Sequence, residues 1–351
     1  MKKIVIYGAG AFGKSFYKAL DGNVDFFIDD YSQEKYLYDL PIKKISQVDK
    51  DTPIYISVLQ HSKKIQGSLR ASGFTDVIGF THAVRLMPNI LEIISQNNYL
   101  WLVHDRDKML NEKKLLAVKK LLKDEKSKSL LDQIIKLRSS LHIDNYIAPE
   151  GEEYFPSDVP ILQNLTDINF IDCGAYIGDT IEALMQKTNS VKSTLSFEPD
   201  KENIHALQNE LQKQKKEFPK TDFFLYPAGV YSKNSILKFA NKGIASSANL
   251  DTNAVDEVSV VSLDSTILYA SPNYIKMDIE GAEYEALLGA KETLQKHKPN
   301  LAICLYHKPQ DLWELPLLIQ EIEPSYDMYI RVHEDMCLST VLYCISRSSD
   351  V

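Results

Sequence analysis

Apolar positions along the chain fall into two alternating series of short runs, separated by a longer stretch with helical spacing. The first series fills residues 1 to about 80: "KIVIYG", a helix over 12–20, "VDFFIDD", "TPIYISVL", a helix over 63–71, and "DVIGF". Strand-length runs alternating with helical segments predict a small parallel sheet with helical crossovers. From 81 to 150 the spacing turns helical. Leu115, Val118, Leu121 and Leu122 share one face, and Leu130, Leu131, Ile134, Ile135 and Leu137 share another, with a break over 123–129.

After the turn-rich "APEGEEYFPSDVP" the second series runs from 151 to 351. It reads "INFIDCG", a helix over 179–187, "STLSFEPD", a helix over 202–216, "DFFLYPAGVYS", "VSVVSLDS" and "YIKMDIEG". It continues with a helix over 282–294, "NLAICLYH", a helix over 312–322, and the pair "YDMYIRVHE" and "STVLYCIS". This order predicts a mainly parallel sheet with helices on both faces and an antiparallel pair at its end, with ligands beyond the carboxyl ends of the strands.

Composition narrows the class. At 351 residues the chain exceeds one ordinary domain, and 44% hydrophobic with 25% charged residues is a globular balance. A net charge of -8 argues against general nucleic-acid binding, which draws its affinity from cations at phosphates. No run reaches the roughly 18 apolar residues of a membrane span. The opening "MKKIVIYGAGAFGK" reads as a strand entering a glycine loop rather than a signal peptide. Cys173, Cys304, Cys337 and Cys344 lack C-x-x-C spacing, which points to a reduced, cytoplasmic setting with neither zinc nor disulfides. One local departure is basic: 108–138 holds ten Lys or Arg against four Asp or Glu. That is either a solvated helix face or an attraction for an anionic substrate.

Candidate chemistry gathers at the strand ends of the second series. In "FIDCGAYIGDT", Gly174 and Gly178 permit a tight turn and a close approach to a ligand, and Asp172 places a carboxylate at the strand end. Glu198, 26 residues on in "FEPD", is one strand-helix-strand unit away and suits the two hydroxyls of a ribose. The dinucleotide pattern G-x-G-x-x-G is missing here, and D-x-G-x-x-x-G accommodates a ligand without pyrophosphate, such as S-adenosylmethionine.

These blocks, with "SLDS", "YIKMDIEGAEYEALLGAKETL" and "AICLYHKPQDLWELPLLI", together resemble the FkbM family of S-adenosylmethionine-dependent methyltransferases over roughly 150–345. The resemblance implies a class I, seven-strand, Rossmann-like methyltransferase fold and O-methylation, often of sugar hydroxyls. It implies a cofactor site built from Asp172, Gly174, Tyr176, Gly178, Thr180, Glu198 and Asp278. The "YIRVHEDMCLSTVLYCI" tail resembles the family's closing hairpin, with a poorer match at His333 and Glu334.

Attack by an alkyl hydroxyl requires loss of its proton, so a base is expected beside the acceptor. His307, which follows "LAICLY", is the first candidate and Asp278 the second, with Glu280 beside them; a helix-capping role is the alternative for His307. Glu283 and Glu285 fall in a first helical turn, where acids also serve as dipole partners. A divalent metal at Asp278 and Glu280 is the less favoured route, so no metal is assigned. Tyr154 and Phe155 either cover the cofactor or pack in the core.

In the first series "YGAGAFG" places Gly8, Gly10 and Gly13 between a strand and a helix, with Asp29 ending the next strand. This is either a nucleotide site or plain strand-to-helix packing. The expectation is therefore a two-domain enzyme: 1–80 Rossmann-like, 81–150 a helical connector, 151–351 the methyltransferase. It would act on a sugar or nucleotide sugar, with self-association left open. The competing readings are a nicotinamide-dependent oxidoreductase using the first domain, and a binding protein with a methyltransferase fold.

Overall fold

A computed structural model describes residues 4–59, 62–87, 89–106, 111–163, 165–239, 256–267 and 271–347. It divides into two compact units, one of 1–106, 133–149 and 334–338 and the other of 107–132, 150–333 and 339–351.

The first unit carries β1 (Ile4–Tyr7), α1 (Ala11–Ala19), β2 (Val24–Ile28), β3 (Tyr36–Leu37), β4 (Leu40–Lys43), β5 (Ile54–Ile56), α2 (Ser62–Ala71), β6 (Val77–Ile78), α3 (Phe80–Leu86) and α4 (Ile90–Ser95). Its sheet runs β3-β4-β2-β1-β5-β6, parallel except where β3 turns back on β4. The β3 and β4 hairpin is not evident in the apolar pattern because its residues are at most half-buried. Val5, Ile28, Ile54, Ile56 and Val77 form the core beneath it.

Two helices follow, α5 (Glu112–Leu121) and α6 (Glu125–Ser140), and the division between units falls inside α6. The basic stretch begins at Lys108, outside the described residues. Several of its described cations have nearby acids: Lys119 lies 2.6 Å from Asp132, Lys126 2.7 Å from Glu150 and 3.0 Å from Asp158, and Lys123 3.1 Å from Asp327. Arg138 is buried with its guanidinium 5.1 Å from the Trp101 ring centre. Much of the local excess is thus spent on pairing within the fold.

The second unit continues with β7 (Ile168–Cys173), α7 (Asp179–Lys187), β8 (Val191–Phe197), α8 (Lys201–Glu217), β9 (Asp222–Tyr226), β10 (Gly229–Val230), β11 (Ser235–Phe239), β12 (Asp256–Val261) and α9 (Leu263–Thr266). Then come β13 (Tyr274–Met277), α10 (Glu283–Leu288), α11 (Lys291–His297), β14 (Asn300–Cys304), α12 (Asp311–Ile322), β15 (Tyr326–Val332) and β16 (Thr340–Ser346). Seven strands order as β9-β8-β7-β13-β14-β16-β15, with only β16 antiparallel to its neighbours. Every residue of β13 and β14 is buried, as a strand covered by helices on both faces requires.

Three local departures have physical causes. "VSVVSLDS" does not join the large sheet; β12 pairs with β10 and β11 in a separate three-stranded sheet. The helix expected over 282–294 is two, parted at Gly289, where a Cβ would come within 2.1 Å of the Tyr231 carbonyl oxygen. "DFFLYPAGVYS" is likewise two strands, β9 and β10. Among the described residues no helix is long and apolar enough to cross a membrane, and all four cysteines are free and buried.

Candidate active site

The chain steps outward from β7 to β8 to β9, then returns to the other side of β7 with β13 and β14. The carboxyl ends of β7 and β13 therefore flank the crevice where the strand order reverses, which is where open parallel sheets bind ligands. The conspicuous residues of the second series lie around this point.

At its floor is a buried ion pair. Asp172 is wholly buried, and Lys276, directly beside it in the β7 to β13 register, brings Nζ to 3.0 Å from its carboxylate. The same Nζ donates to the Gly174 carbonyl at 2.7 Å. Burial pushes Asp172 up to about 6 against the pull of Lys276. For Lys276 burial favours the neutral amine, but the charges of Asp172 and Asp278 outweigh it and keep the ammonium. The structure thus places Asp172 beneath the loop, buried and paired with Lys276.

Above it the loop turns at Gly174, with φ of +83°, and a Cβ there would lie 1.9 Å from the Asp278 carbonyl oxygen. Gly178, also left-handed, precedes α7. Between them Tyr176 is exposed and its amide donates to Glu198 Oε2 at 2.9 Å. Glu198 Oε1 accepts from the Asp200 amide at 2.9 Å and from Asn203 Nδ2 at 3.4 Å. A carboxylate offers about four acceptor positions, so one remains on Glu198 for a ligand hydroxyl. Burial raises the Glu198 pKa, opposed by these bonds. Thr180 is buried in the first turn of α7, and its amide donates to Asp179.

On the β13 side Asp278 accepts from Tyr154 Oη at 2.7 Å and from Tyr306 Oη at 3.0 Å, while His307 Nε2 lies 3.3 Å away. Burial alone would raise its pKa, but His307, Lys276 and Tyr154 outweigh that and hold it well below the usual carboxylate range. His307 is buried among acids: Nδ1 is 2.9 Å from Glu283, and Nε2 is 3.7 Å from Glu280. Burial disfavours its charged form, yet Glu283 and Asp278 raise its pKa well above 6.5. Acids thus stand at both ring nitrogens, an environment that favours the charged imidazolium over the free base. Glu280 differs: its side chain is 60% exposed, its φ of +56° is strained for a non-glycine residue, and burial raises its pKa.

Lys276 and Tyr306 were not singled out as site residues from the sequence, and Glu283 was weighed there chiefly as a helix-dipole partner. Lys276 carried the clearest signal, a lysine inside the apolar run "YIKMD" that must find a buried partner. Tyr154, weighed as a cover for a cofactor, is buried and held to Asp278. In the first unit Asp29 accepts from the amides of Ala9, Tyr31 and Ser32. A Cβ on Gly13 would meet the Gly8 carbonyl oxygen at 2.1 Å, and one on Gly8 the Ser57 hydroxyl at 2.7 Å, whereas Gly10 faces open space. Gly13 thus lets α1 approach the Gly8 carbonyl closely, and Gly8 lies where a side chain would meet Ser57.

The strand order, the glycine loop after the first strand and the acid after the second define a class I, Rossmann-like methyltransferase fold. Residues 172–331, somewhat under half of the chain, match the model of the methyltransferase FkbM domain. It is similar to the structure of methyltransferase FkbM from Methylobacillus flagellatus KT at 24% identity and a TM-score of 0.68, over 98% of this chain and 90% of that one, so the likeness of fold takes in both units. A more distant similarity, at 12% identity and a TM-score of 0.34, is to precorrin-6y C5,15-methyltransferase from Geobacter metallireducens GS-15, over 58% of this chain and 94% of that one. No curated protein sequence matches.

Proposed function

We propose that the second unit transfers the methyl group of S-adenosylmethionine to a hydroxyl of a sugar or nucleotide sugar. The observation that carries this reading is the charge of the crevice. Asp172, Asp278, Glu280 and Glu283 supply four carboxylates against two cations, Lys276 and His307. Such an excess suits a cofactor bearing both a sulfonium and an ammonium group. When bound, the cofactor supplies a methyl group on positively charged sulfur.

The protein's own groups then divide the work. Glu198 offers its remaining acceptor position to a ribose hydroxyl, and the loop from Gly174 to Gly178 gives the backbone room to approach. Asp278, fixed by two tyrosine hydroxyls, presents a stable negative charge. Glu280, exposed and with a raised pKa, is the group suited to take the acceptor proton as the oxygen attacks. That division favours a hydroxyl acceptor, since a neutral amine attacks without prior loss of a proton. The sugar assignment rests on the family resemblance.

The test is mass spectrometry of activated-sugar pools incubated with protein and cofactor. Gain of one methyl on a sugar oxygen supports the reading, and methyl transfer to carbon or nitrogen refutes it. Calorimetry adds an independent check on the cofactor site. Glu198→Ala is expected to weaken S-adenosylmethionine binding at least tenfold, and unchanged affinity would remove Glu198 from it.

A further inference from the structure

The geometry points to a divalent-cation site made by Asp278, Glu283 and one ring nitrogen of His307. Each residue offers one ligand atom, and these atoms lie within 4.8 Å of one another. Donors bound at about 2.0–2.3 Å stand roughly 3 Å apart when adjacent and over 4 Å apart when opposite, so the cluster needs only a small contraction around an ion.

A second observation is independent of the clustering of acids. Glu283 Oε2 and both ring nitrogens of His307 have no hydrogen-bond partner, although Glu283 is 0% and His307 5% exposed. The acids stand 2.9 and 3.3 Å from the ring nitrogens, close but not aligned for N–H donation. Unpartnered buried polar atoms are costly, and a cation bound to one ring nitrogen would satisfy that nitrogen together with Glu283 Oε2.

The surroundings reinforce the charge demand. His307 faces Asp278 and Glu280 from the segment after β13, Glu283 from α10 and Asp311 from α12, with Lys308 beside Asp311. One nitrogen among carboxylate oxygens suits Mn²⁺ better than the harder, more strongly hydrated Mg²⁺. If the methyl-transfer reading holds, the ion would also acidify the acceptor hydroxyl.

The experiment is calorimetric titration of the full chain with Mn²⁺ alone, without cofactor, at pH 6.5. One saturable ion per chain is expected, together with a rise in Tm. His307→Gln and Asp278→Asn should each weaken binding about 100-fold or more, while Glu217→Gln on α8 should leave it unchanged. Circular dichroism reports whether each variant folds, and the wild-type titration decides even where one does not. No saturable binding at millimolar Mn²⁺, or full binding by folded forms of both site variants, overturns the site. Because no cofactor is present, neither result depends on the identity of the methyl acceptor.

Discussion

Lys276 and Asp172 face each other across the two central strands of the large sheet, 3.0 Å apart and almost wholly buried. Lys276→Met strands the carboxylate in a place without water. Removing one partner of a buried pair costs about 3–5 kcal/mol, whereas replacing both by apolar groups is often neutral. Urea unfolding should show that loss for Lys276→Met, with most of it recovered in Asp172→Leu/Lys276→Met. If the single variant is as stable as the wild type, the pair does not hold the loop.

Gly174 and Gly178 are both left-handed, yet they should not respond alike to substitution. At Gly174 a methyl group collides with backbone, the Asp278 carbonyl oxygen, which cannot yield without moving β13. At Gly178 the nearest atoms are the side chains of Leu207 and Glu210, at 3.0 and 3.1 Å. Gly174→Ala is expected to cost about 3 kcal/mol or more and to abolish cofactor binding, and Gly178→Ala nearer to 1–2 kcal/mol. Thermal unfolding and cofactor titration of the two variants provide the comparison, and equal losses would refute the distinction.

The contrast between these glycines marks what local sequence can carry. The two series of strands, the helical stretch between them and the loop "DCGAYIGD" were legible because burial on both faces leaves continuous apolar runs and tight turns demand glycine. The pairing of β12 with β10 and β11 was not, because partners are chosen by tertiary contacts while the apolar run looks the same in either sheet. The short β3 and β4 hairpin carries too little burial to register. At the site, Asp278, Glu280 and His307 were legible as residue types at strand ends, and the structure brings them together. The raised pKa of His307 was not legible, because it depends on Glu283, which reaches Nδ1 from a separate helix.

That environment sets a pH signature. The folded pKa of His307 is raised, so its contribution to stability is complete below the unfolded value of about 6.5 and is lost as pH rises through the folded value. Asp278, whose folded pKa is depressed, contributes above about 3.9 and loses that contribution as pH falls through its folded value. The stability advantage of wild type over His307→Gln should therefore plateau between about pH 4 and 6.5 and shrink as pH rises through the raised folded value. Urea unfolding across that range, without metal ions, measures it. An advantage that grows with pH would mean that the ring is neutral in the folded state.

Glu280 combines features the other acids lack. Most of its side chain is exposed, its backbone is held in a strained left-handed conformation, and partial desolvation together with the nearby charges of Asp278 and Glu283 raises its pKa above the ordinary glutamate value of 4.5, against the pull of His307. A carboxylate acting as base must be ionised, so turnover should fall as pH drops through that raised pKa. Glu280→Gln keeps the shape and removes the proton acceptor. Its kcat is expected to drop about 10²- to 10⁴-fold, with loss of the acidic limb of the profile and little change in cofactor affinity. A strained position that served only packing would give a different result: Glu280→Gln would retain near wild-type kcat, and Glu280→Gly, relieved of the strain, would be more stable and equally active. Steady-state rates from pH 5 to 9 for the three proteins separate these outcomes.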